Sequence, residues 1–184
     1  MSVRLRKLTV EELEAFPEDG HRYEIFDGDL SMSHAPHQKH QFSPGLLFRA
    51  FDAARSAQSG RVYFSPVDVR FSLHDQVQPD LSYLRRERSW IYSGITVNDA
   101  PDSVVEVLSP SNRTYDEVAK FQLYASNGVA EYRNVDSGRK GIRLFAFVDG
   151  SFSEVVADAS GSFACRQLPG LVIVQNELFK NIDA

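Results

Sequence analysis

The chain has 184 residues, enough for one domain with a sizeable core, and its 42% hydrophobic and 24% charged residues are ordinary globular usage. That excludes a disordered or collagenous chain, and the one cysteine, Cys165, excludes a disulfide framework. A net charge of −5 supplies no global attraction to nucleic acid, so any such surface must be local; Arg85-Arg86-Glu87-Arg88 and Arg139-Lys140-Gly-Ile-Arg143 are the basic runs, and each also reads as a solvated face.

No apolar run approaches the ~18 residues that span a bilayer, and the first residues lead into a helix pattern instead of a signal-peptide core, so a cytoplasmic protein without a membrane partner is expected. Thr9-Val-Glu-Glu12 has capping-box spacing, with Leu13 and Phe16 as the apolar face of a short helix. Arg22 to Phe26 and Asp29 to Ser33 flank Asp27-Gly28, a pair suited to a two-residue hairpin turn. After a polar loop holding His34, His37 and His40, Leu46, Leu47, Ala50, Phe51 and Ala54 recur at helical spacing up to Gly60. Pro44 predicts that this helix starts there, with Ser43 as its cap.

Val62 to Phe64, Val67 to Phe71 and Val77 to Tyr83 then read as consecutive, partly antiparallel strands. Ser103 to Leu108 is a valine-rich run closed by Ser109-Pro110, the pattern of a strand buried on both faces. Thr114 to Asn127 has a helical period closed by Gly128. Glu131 to Val135, Ile142 to Val148 and Phe152 to Ala157 are strand runs, the last two joined by Asp149-Gly150, and a strand near Leu171 to Val174 precedes a tail helix. The absence of repeats, linkers and composition breaks predicts a single domain over residues 1–184 of mixed α/β (α+β) class.

Glu106 does not belong in its apolar strand for stability. A carboxylate taken out of water must be paired, hydrogen-bonded or metal-bound, or else take up a proton. Asp80, after Pro79, lies in a neighbouring strand candidate; if the two strands pair, both carboxylates can converge on one divalent ion, and oxygen-only ligation suits Mg2+ or Mn2+. Two such carboxylates and a lysine are a recurrent arrangement for phosphodiester hydrolysis.

Pro79-Asp80 followed by Glu106-Val-Leu108 resembles the Pro-Asp … Glu-x-Lys motif of the PD-(D/E)XK nuclease superfamily, with Leu108 where the lysine would stand. The chain is similar, over roughly residues 8 to 180, to the Uma-type restriction endonuclease branch, which carries the lysine on the following helix. The matching stretches include Arg22 to Leu30, His40-Gln41, Pro66 to Arg70, Val77 to Leu81, Ala100 to Ser111, Asp116 to Tyr124, Gly128 to Tyr132 and Leu168 to Leu171. The resemblance implies a restriction-endonuclease-like fold, a mixed β-sheet flanked by helices with antiparallel hairpins. It implies a magnesium-dependent DNA endonuclease with the ion held by Asp80, Glu106 and the Val107 carbonyl, Lys120 as the relocated lysine and Glu24 as a further acid. Tyr124 and Asp116 would lie beside Lys120 on one helix face, and His40 would approach the cleft. A homodimer would suit duplex cutting by analogy. Arg133, where the branch usually has tryptophan, is the main departure, with Ala130 and Ser137 replacing prolines.

Each residue has a plainer alternative: a structural ion pair for Glu106, turn chemistry for Asp80, a solvated lysine paired with Asp116 for Lys120, and an exposed strand residue facing Arg22 or Lys39 for Glu24. The spacing of His34, His37 and His40 invites a transition metal, with a polar loop as the alternative. For the whole chain the alternatives are a catalytically inactive domain that binds nucleic acid or a protein, or a structural cation site. Cys165 is expected to be a packing residue.

Overall fold

Thr9 caps α1 (Val10–Leu13) as its spacing predicts: its hydroxyl accepts from the Glu12 amide at 3.3 Å and its own amide donates to the Glu12 carboxylate at 3.0 Å. The structure is a computed structural model that describes residues 6–34, 38–56, 59–108 and 115–180, without the side chains of 34, 38–41, 115 and 116. His37 and the side chains of His34, His40 and Asp116 therefore lie outside the described residues.

The first hairpin forms where Asp27-Gly28 predicts it, between β1 (His21–Phe26) and β2 (Asp29–His34), with φ of 48° and 77° at the two turn residues. Both strands belong to a six-stranded sheet with β5 (Asp75–Val77), β4 (Asp68–Ser72), β8 (Thr96–Val97) and β7 (Tyr92–Ser93), in the order β2-β1-β5-β4-β8-β7. A second six-stranded sheet runs β12 (Ser151–Val155), β11 (Gly141–Val148), β10 (Glu131–Asp136), β9 (Ser103–Val107), β6 (Leu81–Arg85), β3 (Gly60–Phe64). Here β9 and β10 are parallel and the other neighbours antiparallel, so the sheet is mixed. A ribbon of β13 (Ser162–Ala164) and β14 (Val172–Val174) leads into the tail helix α4 (Gln175–Lys180). The predicted mixed sheet is present, and β1, β2, β4, β5, β7 and β8 form a second sheet beside it.

All five residues of β9 are buried, as its apolar run predicts. Val105 and Val107 face the long helix α2 (Gln38–Ala54), packing with Leu47 and Phe51. Val104 faces the other way, into a core shared with Val69, Val77 and Val97 of the first sheet and with Leu123 and Tyr124. Each buried valine contributes about 1.5–3 kcal/mol, which fixes β9 between two layers and leaves the Glu106 side chain between them.

Three predicted boundaries move. α2 begins at Gln38, so Pro44 lies inside it and removes one backbone donor, while the buried Leu47 and Phe51 hold the helix to the sheet. Ser43 is not a cap; its hydroxyl shares a 2.7 Å hydrogen bond with that of Ser137. The 77–83 run breaks in two, because Gln78-Pro79-Asp80 carries the chain from β5 in one sheet to β6 in the other. The predicted helix over 114–127 is, in its described part, a π-helical turn (Tyr115–Lys120) followed by α3 (Phe121–Ser126). Among the described residues no helix is long and apolar enough to cross a membrane.

Gly60 opens β3 at φ 136°, and a Cβ there would stand 2.1 Å from the Leu84 carbonyl oxygen of the paired strand. Gly60→Ala should therefore cost about 1–3 kcal/mol or more, read as a fall of roughly 2–4 °C in Tm per kcal/mol, whereas Gly141→Ala, with open space at its Cα, should leave the melt within about 0.5 kcal/mol of wild type.

Candidate active site

The register of β6 on β9 pairs Leu81 with Val105 and Ser82 with Val104, so one step further brings Asp80 alongside Glu106. Pro79 has no amide to continue the ladder, and the Asp80 side chain takes over: its Oδ2 accepts from the Val107 amide at 2.8 Å. Its Oδ1 lies 3.5 Å from the Arg22 guanidinium, which also donates to the Ser65 hydroxyl at 2.9 Å. Arg22 and Glu24 are two residues apart on β1 and share one face.

Lys120 is the centre of the cluster. Its Nζ is 3.0 Å from Glu24 Oε1 and 3.0 Å from Glu106 Oε1, and Glu106 Oε1 also accepts from the Tyr124 hydroxyl at 2.6 Å. Glu24 Oε1 accepts a further 2.8 Å bond from the Gln78 amide. Exposures of 4% for Glu24, 3% for Asp80 and 2% for both Glu106 and Lys120 remove the solvated-surface alternatives for Glu24 and Lys120. Among the described residues, the carboxylates of Glu24, Asp80 and Glu106 thus meet the cations Arg22 and Lys120 in a water-poor interior.

The electrostatics follow from that arrangement. Burial, then the adjacent Glu106 carboxylate, hold the Tyr124 hydroxyl well above its ordinary pKa, so it stays a hydrogen-bond donor. Burial disfavours the charged form of Arg22, but Asp80, Glu24 and Glu106 outweigh it and the net shift is upward. At the edge of the cluster burial raises Asp68, partly offset by a 2.9 Å bond from Gln78 Nε2.

Of the residues expected from sequence, Glu24, Asp80, Glu106, Lys120 and Tyr124 come together, and Val107 joins through its amide to Asp80. The side chains of His40 and Asp116 are outside the described set. Sequence reasoning missed Arg22, Gln78, Ser65 and Asp68. Arg22 was findable, since a period of two puts it beside Glu24; Gln78 and Ser65 come from loops that carry no pattern. Among the described residues no three His, Cys, Asp or Glu side chains form a ready metal cage; Asp80 and Glu106, side by side on paired strands, present oxygen atoms alone.

Most of the basic runs are internally paired. Arg85 and Arg88 reach the buried Asp102, and Arg143 grips Glu154 through two bonds of 2.9 and 3.0 Å. On the α2 side of the sheet, Arg133 is fully buried, 2.7 Å from the Ser103 hydroxyl and 3.3 Å from Glu131, with its guanidinium over the Phe51 ring. Cys165 donates to the same Glu131, and burial raises its thiol above the ordinary value, as fits a packing residue.

A family profile described as "Putative restriction endonuclease", Uma2, matches residues 10–174. The chain belongs to the Uma2 family. A solved structure titled as a "putative nuclease belonging to DUF820" from Anabaena variabilis superposes with a TM-score of 0.81 at 16% identity, covering 95% of this chain and 99% of that one, and so shares its fold. No curated protein matches the chain. In this Uma2 chain Leu108 stands two residues after Glu106, and the lysine that reaches the Glu106 carboxylate comes from the π-helical turn instead.

Lys120→Met should strand Glu24 and Glu106 as buried like charges and lower stability by about 3–5 kcal/mol in denaturant titrations, far more than the loss of a surface lysine. Tyr124 supplies a pH dependence. Its folded pKa lies above the unfolded value of 10.0, so its stabilisation is complete below pH 10 and lost as the pH rises toward the folded value. Tyr124→Phe should flatten the wild-type decline in unfolding free energy above that pH; an unchanged alkaline slope would show that Tyr124 is not its source.

Proposed function

We propose that the chain is a metal-dependent DNA endonuclease, a single domain whose active site is the Asp80, Glu106, Lys120 and Glu24 cluster. The observation that carries the reading is that the buried Asp80 and Glu106 carboxylates stand side by side on paired strands, with the Lys120 ammonium 3.0 Å from Glu106. Their all-oxygen donor set fits Mg2+ or Mn2+ better than zinc.

Asp80 and Glu106, with the Val107 carbonyl, would hold the ion. When bound, it would supply Lewis acidity that makes water a nucleophile at neutral pH and neutralises the attacked phosphate. The protein's own groups do the rest. The Val107 amide and Arg22 fix the Asp80 carboxylate, and the Tyr124 hydroxyl fixes Glu106. Lys120, held between two acids, would direct its ammonium at the phosphoryl oxygens, where charge grows in the transition state. Glu24 sets the lysine's position from the opposite side, steadied by the Gln78 amide.

Purified protein should nick supercoiled plasmid with magnesium or manganese and stop on chelation. Asp80→Asn and Glu106→Gln, which keep an acceptor for Val107 and Tyr124, should each reduce turnover by at least about a hundredfold while melting close to wild type. Cleavage surviving in both variants would refute the assignment. Salt-sensitive DNA retention without any cleavage would favour an inactive binding domain.

A further inference from the structure

The second sheet ends at β3 and the first at β7, and a cavity of about 450 Å³ opens where these two edges meet. Arg61 and Tyr63 from β3, Tyr92 from β7, and Arg86 and Ser89 from the 3-10 helix at Arg86–Ile91 line it. The Tyr63 and Tyr92 rings pack against each other at a tilt of 37° with centroids 4.5 Å apart and form an aromatic wall. Trp90, on the same 3-10 helix, is 75% exposed. Arg61 lies close to the Tyr63 hydroxyl, and among the described residues neither Arg61 nor Arg86 is in an ion pair, unlike Arg85 and Arg88 beside Arg86. In a chain of net charge −5, two uncommitted guanidinium groups around aromatic faces are a local exception.

Edge strand β3 joins this cavity to the carboxylate cluster. Gly60 and Arg61 stand at the cavity end, and Ser65, one residue past the other end, bonds the Arg22 that contacts Asp80. At ~3.3 Å per strand residue the cavity residues Tyr63 to Gly60 stand about 7 to 16 Å along β3 from Ser65, or roughly two to five base steps of ~3.4 Å. Leu84 of β6 lines the cavity and packs in the same inter-sheet core as Val104, which shares its face of β9 with Glu106, so both features open on one side of that sheet.

We infer that the cavity between β3 and β7 is a subsite for an unpaired nucleotide of the DNA substrate, stacking its base on Tyr63 and Tyr92 and holding its phosphate with Arg61 and Arg86. The inference rests on the nuclease reading for the direction of the strand. Aromatic walls and cations together are what single-stranded nucleic acid requires, because every base has a face to stack and every nucleotide a charge to neutralise. Duplex DNA keeps its base faces stacked and offers phosphates and groove edges but no face for an aromatic wall. The subsite therefore favours DNA with an unpaired segment a few nucleotides from the scissile bond.

Two readouts test this on the full chain without metal. Anisotropy of a labelled oligothymidylate gives affinity, and quenching of Trp90, the one tryptophan, reports where it binds. Wild type should bind and be quenched. Arg61→Ala/Arg86→Ala and Tyr92→Leu should each weaken binding about tenfold, with melting curves checked for folding. A blunt duplex of equal length should bind at least about tenfold more weakly. The inference is overturned by absence of binding, by absence of Trp90 quenching, by unchanged affinity in the well-folded cavity variants, or by duplex binding as tight as single strand. Plasmid nicking, measured separately, keeps the two ideas apart: binding as described with no nicking sinks the nuclease reading alone, and nicking with cavity-independent binding sinks the subsite alone.

Discussion

The ammonium of Lys120, shared between Glu24 and Glu106 at 3.0 Å each, is the interaction on which the rest of the cluster depends. Glu24 comes from the first sheet and Glu106 from the second, so one buried cation ties the two sheets at the place where their carboxylates would otherwise repel. Desolvating three charges costs several kcal/mol per ion, and Coulomb attraction repays it only with good geometry and further hydrogen bonds. Those bonds are present: Tyr124 donates to Glu106 and the Gln78 amide to Glu24. A hydrophobic triad of equal volume would hold the sheets together as well, so stability does not account for the choice of ionic side chains.

Two irregularities in the backbone make that geometry reachable. Gln78-Pro79-Asp80 interrupts what would be one strand, and in doing so releases the Gln78 amide for Glu24 and turns the Asp80 carboxylate onto the Val107 amide. The π-helical turn at Tyr115–Lys120 ends on the lysine itself, and the regular α3 that follows places Tyr124 one turn later on the same carboxylate. Single-turn π segments are uncommon and are found often at functional sites, where they re-aim a side chain. Both features give up regular hydrogen bonding at the point where polar side chains are required.

The central sheet separates tasks between its faces. Toward α2 it carries packing: Val105, Val107, Cys165 and the buried Arg133–Glu131 pair. Toward the first sheet it carries Glu106, Lys120 and Tyr124 within the core around Val104. Arg133 lies on the packing face, with its guanidinium covering Phe51 and its charge met by Glu131.

By itself the sequence determined the local elements whose causes are local: the Thr9–Glu12 cap, the Asp27-Gly28 turn, and a β9 apolar on both faces with one misplaced acid. The ordered motif series also carried Asp80, Glu106, Lys120 and Tyr124, although periodicity alone left Lys120 looking like a surface lysine. Only the tertiary structure decided what depends on contacts between distant segments. It set α2 running through Pro44, because burial of Leu47 and Phe51 outweighs one lost backbone bond. It divided the strands into two sheets, because the break at Pro79 has no signature distinguishing a turn from a crossing between sheets. It also brought in Arg22 and Gln78, and buried Glu24, which a single strand pattern cannot assign to core or solvent until its neighbours are known.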